Sequence, residues 1–574
     1  MKKKLLYGAL AMVAMAFTGC NDFLDENRYP LDAQTNNAEF WNTASNVDGQ
    51  VYAFYNNFIG YGNGTGRGWS YFKTLSDDQA GNSFTTWANT TVPASSSNWS
   101  SPYVEIRRAN YIINNVRNST LGASNKKHYE GVARMNRAYQ YYQLVRMYGD
   151  VQWINEVVDP ADDAVVYGAR IDRDVVMDSV LNDLDYACAT IAGGSKTTFS
   201  ADMAQAMKSE ICLYEGTYCK YRTAEENGKA ADAARAEKFL KEAVKASEAV
   251  MGAGYTLNDN YQANYNSVSL EGNPEMIFYK PYENNIFMHS LISYVSSSTQ
   301  ISGMTKDAFD AYLFKDGKPL ALTSENKSDA GEVDADGNYN IKKVLAVRDA
   351  RLSQTVDTIV FYQNMTWARA GAMQMTSSTG YGVCKYDNVT LPVGDRTSNN
   401  RNYTCAPIYW LSVIYLNYAE AKAELGTLTQ TDVNNTIGKL YTRAELPVLQ
   451  IASIQHDPAN NMGCSDLLWE IRRCRRCELM FDNWYRYWDL VRWHKLDLLD
   501  SQKYPNILLG ANMTACPPLK DGEGNPFTIP NVNGYIDGSK GGVRIFEKRQ
   551  YLYPVPSGQI TLNENLSQNP LWEE

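Results

Sequence analysis

Apolar residues recur at helical intervals over long stretches of this chain, and the stretches come in neighbouring pairs. Met135, Ala138, Tyr139, Tyr142 and Val145 mark one helix face within 129–148, with Gly149 as its stop. Ala109, Ile112, Ile113 and Val116 mark a partner from about 101 to 119. A second pair covers 171–190 (Val176, Val180, Leu184, Ala187) and 200–221 (Met203, Met207, Ile211, Tyr214, Tyr218). Residues 231–250 place Phe239, Leu240, Ala243, Val244 and Val250 inward, and further helices fit 408–425 and 465–495. An amphipathic pair buries one face only by stacking on the next, which predicts a tetratricopeptide-like stack and a mostly α fold. The spacing is irregular, however, and the Trp-Leu-Gly signature of such repeats is missing.

Other stretches lack that period. Residues 60–100 hold six glycines, many Ser, Thr and Asn, and the rings Trp69, Tyr71, Phe72, Trp87 and Trp99. Residues 260–400 carry turn signals and short apolar runs such as Met276-Ile277-Phe278-Tyr279. Polar residues Ser324 to Asn340 form a solvent-exposed excursion; Asp334-Ala335-Asp336-Gly337-Asn338 within it lacks the terminal Glu of a calcium loop and is expected to be a turn. The expected organisation is one unit over 20–574, with scaffold at 40–58, 101–250 and 405–500 and a loop-rich binding lobe at 60–100 and 260–400.

The N-terminus has the pattern of an export signal: Lys2, Lys3 and Lys4, an apolar run, then Phe17-Thr18-Gly19-Cys20, which is similar to a bacterial lipobox. Cleavage after residue 19 would make Cys20 the acylated first residue and leave 51 basic against 64 acidic side chains, the 54 Lys and Arg less those three lysines. Evenly spread acidity excludes a nucleic-acid binder, which needs a basic footprint. Cys474 and Cys477 have the spacing of half a zinc site, but nothing nearby completes it, and on a helix they are neighbours on one face. The four histidines, His128, His289, His456 and His494, form no metal or nucleophile pattern, so neither metal nor cofactor is expected. Forty Tyr, 12 Trp and 17 Phe exceed what a core requires and point to ring surfaces that meet a ligand.

Several segments together resemble the SusD/RagB family of Bacteroidota outer-membrane lipoproteins. Cys20-Asn21-Asp22-Phe23-Leu24-Asp25 is similar to its lipid-attachment signature. The helix 135–148 ends in Tyr148-Gly149-Asp150-Val151, with Gln152 where the family has Pro. Asn417-Tyr418-Ala419-Glu420-Ala421 and Asn273-Pro274-Glu275-Met276-Ile277-Phe278 resemble two further motifs. The most specific block runs from Arg475-Arg476-Cys477-Glu478-Leu479-Met480-Phe481-Asp482 through Tyr485-Arg486-Tyr487-Trp488-Asp489-Leu490-Val491-Arg492-Trp493, with Phe481-Asp482-Asn483 in place of Phe-Glu-Gly. Tyr551 to Pro556 and Asn569-Pro570-Leu571-Trp572 resemble the C-terminal signature. Arg475, Arg476, Arg486 and Arg492 are expected to fork onto carboxylates such as Glu420, Glu478 and Asp489, because a buried unpaired arginine is costly.

The resemblance implies surface capture of a glycan without catalysis, and its delivery to a SusC-like TonB-dependent barrel, with the chain held on the membrane by lipid at Cys20. It also places the binding surface on the loops. That singles out Trp69 and Trp87 in the first region, and Trp367 with Asn364, Arg369, Tyr282 and Tyr381 in the second. Trp99 is expected to staple a helix start, and Trp41, Trp153, Trp410, Trp469, Trp484, Trp488 and Trp493 to lie in the core. The alternatives are a mostly helical glycoside hydrolase, which needs two carboxyls about 5–9.5 Å apart in a cleft, and a surface protein that binds peptide or adheres.

Overall fold

The computed structural model describes residues 37–71, 74–81, 83–296, 302–362, 375–520 and 524–573, so Cys20 and the export signal lie outside it. Helix α1 spans Ala44–Val51. Helices α2 (Ser97–Asn118) and α3 (Ala123–Tyr148) form the first long pair, α4 (Arg173–Thr190) and α5 (Ala201–Tyr221) the second, and α6 (Ala233–Met251) follows. Each packs on its chain neighbour, which is the stack the periodicity predicts. Helices α7 (Leu411–Glu424), α8 (Asp466–Glu478) and α9 (Tyr485–Arg492) come after the loop-rich region, and α7 lies against both α6 and α8. The starts are chemically marked: Asp172, Ser200, Asp232 and Ser465 each accept a first-turn amide of α4, α5, α6 and α8. Gly149 ends α3 at φ +70°, a conformation glycine takes without a Cβ clash. One hydrophobic core reaches from Trp41 through the helices to Tyr381, Ile536 and Leu566.

The loop-rich lobe contains only short strands among the described residues. Strand β1 is Gln79–Gly81, β2 is Met276–Lys280, β3 is Ser302–Met304 and β4 is Ala406–Trp410. Strand β2 pairs antiparallel with β4, and β1 with β3, Gln79 standing opposite Met304. Residues 408–410, expected to be helical, therefore complete β4, and the helix starts at Leu411. In the polar excursion Asp334 Oδ1 accepts the amides of Asp336 and Asn338 at 3.0 and 2.9 Å, a side-chain-capped turn. Cys474 and Cys477 are buried free thiols on α8.

The expected single helix over 465–495 is instead α8 and α9, broken where Phe481, Asn483 and Trp484 take φ of +68°, +43° and +57°. Asn483 stands where the family motif has Gly, and asparagine tolerates this conformation better than most side chains. The break folds α9 back on α8. Arg475 Nε then donates to Asp489 Oδ2 at 2.8 Å and its Nη1 to Asn417 Oδ1 at 2.8 Å. Arg492 forks onto Glu420 at 2.6 and 2.7 Å and also donates to Asp489 at 2.9 Å.

The other expected partners are different ones. Arg476 pairs with Asp78 at 2.6 Å and Asp307 at 2.8 Å, while Arg486 forks onto Asp77 at 2.8 and 2.6 Å. Glu478 is held by Arg351 at 2.9 Å and by Arg443. Asp77 and Asp78 arrive from the loop just before β1, roughly 400 positions away in the chain, and no local spacing announces such a pairing.

The Arg492 guanidinium holds the buried Glu420 carboxyl down at about 2 against the opposing effect of burial. A depressed carboxyl contributes stability that is complete above its unfolded value and fades as pH falls through the folded one. Glu420→Ala should cost about 3 kcal/mol by leaving the buried Arg492 with Asp489 as its remaining carboxylate and Trp493 Nε1 without its acceptor, seen as a lower denaturation midpoint. It should also flatten the acid limb of stability between about pH 4.5 and 2. An unchanged midpoint would show that this pair does not clamp α7 to α9.

Candidate functional site

The Gly-rich turn over 60–68 is tightly held. Trp69 N–H donates to Gly60 O at 2.9 Å, Gly64 N–H to Met288 O at 2.9 Å, and Ser290 Oγ to Gly64 O at 2.6 Å. At Gly68 a Cβ would stand 2.1 Å from Gly60 O, so only glycine lets the two strands of the turn close on each other. Next to this turn Trp69 is half-buried and lines a cleft of about 420 Å³ between the loop lobe and the helices. Tyr139 comes to it from α3, Glu210 from α5, Tyr409 from β4, and Trp484 and Trp488 from the α8–α9 break and α9. Asn98, Gln143, Arg146 and Asn483 add planar polar groups. Burial raises the Glu210 carboxyl above the usual range and keeps the Tyr139 and Tyr409 hydroxyls protonated.

The other expected ligand rings do something else. Trp87 is 6% exposed, and its Nε1 donates to Ile545 O at 2.9 Å. Tyr282 is 4% exposed, stacks on Phe287 with centroids 5.0 Å apart, and donates its hydroxyl to Gly62 O at 2.7 Å. Tyr381 is 1% exposed and stacks on Phe309 at 4.5 Å. These three rings anchor their own loops and offer no face to a ligand, which corrects the expectation for them. Trp367, Asn364 and Arg369 lie outside the described residues. Trp99 packs edge-on against Tyr148 at the start of α2. Trp41, Trp410 and Trp493 are core, and Trp153 and Trp469 are half-buried beside it.

Trp488 is buried in the core as expected, while Trp484, expected there too, is half-buried beside it, and both border the cleft. The turn signal in Asp482-Asn483 is what could have shown it, since breaking the helix there points the following rings toward a different neighbour. Tyrosine abundance also has a second explanation. Tyr61, Tyr71 and Tyr261 are buried and donate their hydroxyls to the carbonyls of Tyr265, Ser302 and Glu478 at 2.8, 2.7 and 3.0 Å. An irregular lobe leaves carbonyls without strand or helix partners, and a buried Tyr satisfies them while filling space.

A second recess, of about 340 Å³, is lined by Arg472, Arg473, Arg476 and Arg486 with Asp77, Asp307 and Asp457. Those groups are engaged with one another or, for Arg472, with Glu424 at 3.0 Å. Asp174, Glu215 and Cys219 bring potential metal-ligand atoms within 4.8 Å of one another. Arg173, Arg222 and Lys229 pair with the two carboxylates at 2.6–2.8 Å, so the group is an ion-pair cluster.

Stacked helix pairs that carry a loop-rich lobe, with a ring-lined cleft between them, define a helical-repeat binding scaffold. The profile of the SusD family matches residues 247–572, more than half of the 574, and one described as starch-binding associating with outer membrane matches residues 22–213. The chain belongs to the SusD family. Proteins of this family bind without catalysing, and the chain is not an enzyme. A SusD-like carbohydrate-binding protein from Bacteroides fragilis is 20% identical with a TM-score of 0.69, over 92% of this chain and 100% of its own. Another SusD-like protein of that species is 21% identical with a TM-score of 0.63, over 94% and 99%. A laminarin-binding SusD-like protein is 19% identical with a TM-score of 0.55, over 92% and 99%. At such identities the likeness is one of fold. No curated protein matches the chain.

Trp87→Ala should cost about 3–5 kcal/mol, as for other buried rings, and lower the thermal midpoint. A variant as stable as the parent would show that the ring does not anchor its loop.

Proposed function

We propose that the chain captures a glycan at the cell surface in the cleft beside Trp69 and delivers it, chemically unchanged, to a SusC-like TonB-dependent outer-membrane barrel. The observation that carries the reading is the pairing of ring faces with planar polar groups in one cleft. Sugar C–H faces lie on rings such as Trp69 and Trp484, and Asn, Gln and Arg groups bond the hydroxyls and fix orientation. Support also comes from relatives of the same fold, one described as laminarin-binding and another solved with a xylogluco-oligosaccharide. Trp367, Asn364 and Arg369 remain in the proposal as further contacts from the second loop region. Acylation of Cys20 would hold the chain on the outer membrane, since each buried methylene adds about 0.8 kcal/mol.

Oligosaccharides incubated with the protein should be retained in affinity electrophoresis and show no new reducing ends; turnover would contradict the reading. Trp69→Ala should weaken retention about 2–10-fold, the range expected for one lost ring contact, and parent-like retention would remove Trp69 from the site. Cys20→Ala should move the protein from the membrane to the soluble fraction, and continued detergent-dependent anchoring would refute lipid attachment.

A further inference from the structure

The cleft contains two charged side chains that the surrounding ion-pair network leaves out. In a small recess that Arg146 and Glu210 also border, Arg475 is taken by Asp489 and Arg492 by Glu420 and Asp489. Arg146 on α3 has no ion pair within 4.0 Å among the described residues. Its Nη2 donates to Gln143 Oε1, its Nε is buried without a hydrogen-bond partner, and its guanidinium lies 4.1 Å over the Trp488 ring and 4.8 Å over Tyr142. Trp488 is 94% buried, by its 6% exposure, and its Nε1 likewise has no partner. Glu210 is the only acidic residue in the described lining; it makes no ion pair within 4.0 Å among the described residues and is bonded to the Tyr409 hydroxyl.

A cation held against ring faces, with donor capacity left over, matches a planar anion. Guanidinium and carboxylate meet through two parallel N–H···O bonds, and the ring beneath fixes the plane of the fork. Glu210 need not exclude such a ligand: burial raises its pKa above the ordinary carboxyl value, against the lowering by Arg146 and Arg475, so the site itself works against a second negative charge there. The net acidity of the chain acts at longer range and is screened over about 8–10 Å at physiological salt, so it does not decide a contact made inside the cleft.

We infer that the cleft is a subsite for a glycan residue bearing a carboxylate, a uronic-acid sugar, and that Arg146 is the side chain that selects it. This rests on the glycan-capture reading above and adds the class of sugar. The sugar face lies along Trp69 or Trp484, its carboxylate accepts from Arg146, and Asn98, Gln143 and Asn483 meet its hydroxyls.

The test is calorimetric titration of the full chain with galacturonate, glucuronate and mannuronate oligosaccharides, each beside the same oligosaccharide after its carboxyls are reduced to alcohols. At least one acidic ligand should bind tenfold or more tighter than its reduced form. Arg146→Gln should abolish that difference by weakening the acidic ligand tenfold or more beyond any loss for the reduced one, and Arg146→Lys should keep part of it. If Arg146→Gln fails to fold, the comparison of acidic with reduced ligand on the parent decides alone. Equal affinities for every acidic and reduced pair, or a preference that survives Arg146→Gln, would overturn the assignment. Binding of neutral glycans with no acidic preference would overturn this subsite and leave glycan capture standing, whereas no binding of any oligosaccharide in a wider neutral and acidic panel would overturn both.

Discussion

Two arginines whose side chains are only 9% exposed, Arg476 on α8 and Arg486 on α9, hold the loop-rich lobe to the helices through Asp77, Asp78 and Asp307. Much of the molecule depends on that seam. The loop that supplies Asp77 and Asp78 leads directly into β1, which pairs with β3, so anchoring it fixes one end of the irregular lobe on the scaffold. Arg544 grips the same loop from the other side. It is buried with no ion pair among the described residues and donates to the carbonyls of Thr74, Ser76 and Phe84, and this burial pushes it down to about 9. Buried ion pairs add little net stability compared with apolar packing of the same volume, but they penalise any other pairing heavily. Their contribution here is position. A lobe with few strands is held in one arrangement by charges that have no second place to go.

The same break that sets the ion pairs makes the cleft. Were α8 and α9 one helix, Asp489 could not turn back to Arg475, and Trp484 would not stand at the turn that borders the cleft. Positive φ at Phe481, Asn483 and Trp484 redirects the chain, and Trp484 comes to the cleft that Trp69 also lines. The cleft is bounded by α3, α5, β4 and α9 together with the Gly-rich turn, so its walls come from the rigid parts of both lobes. Binding surfaces preorganised in this way lose little entropy when a ligand arrives.

Helix positions were legible because amphipathic periodicity is a local signal: α2 to α6 fall within a few residues of where Ala109, Met135, Val176, Met203 and Phe239 place them. The α8–α9 break was not, because an unbroken apolar pattern runs across it and the only warning was Asp482-Asn483. Pairings such as Arg486 with Asp77 were illegible for a simpler reason, since burial makes arginine need a carboxylate but does not say which of 64 it finds. In the site, abundance misled. Trp87, Tyr282 and Tyr381 are large rings in loops, as a ligand surface requires, yet a loop without regular hydrogen bonding also requires anchors, and composition alone does not separate the two.

The central claim is that a ring-lined cleft, fixed between the helical stack and the loop lobe, holds a sugar and leaves its glycosidic bonds intact. Its most direct test is a crystal structure of the protein soaked with an oligosaccharide it retains. The account predicts continuous density for an uncleaved ligand with one sugar face against Trp69 or Trp484 and a polar edge toward Gln143 and Arg146. Sugar density confined to another surface, with the cleft empty or closed, would contradict it.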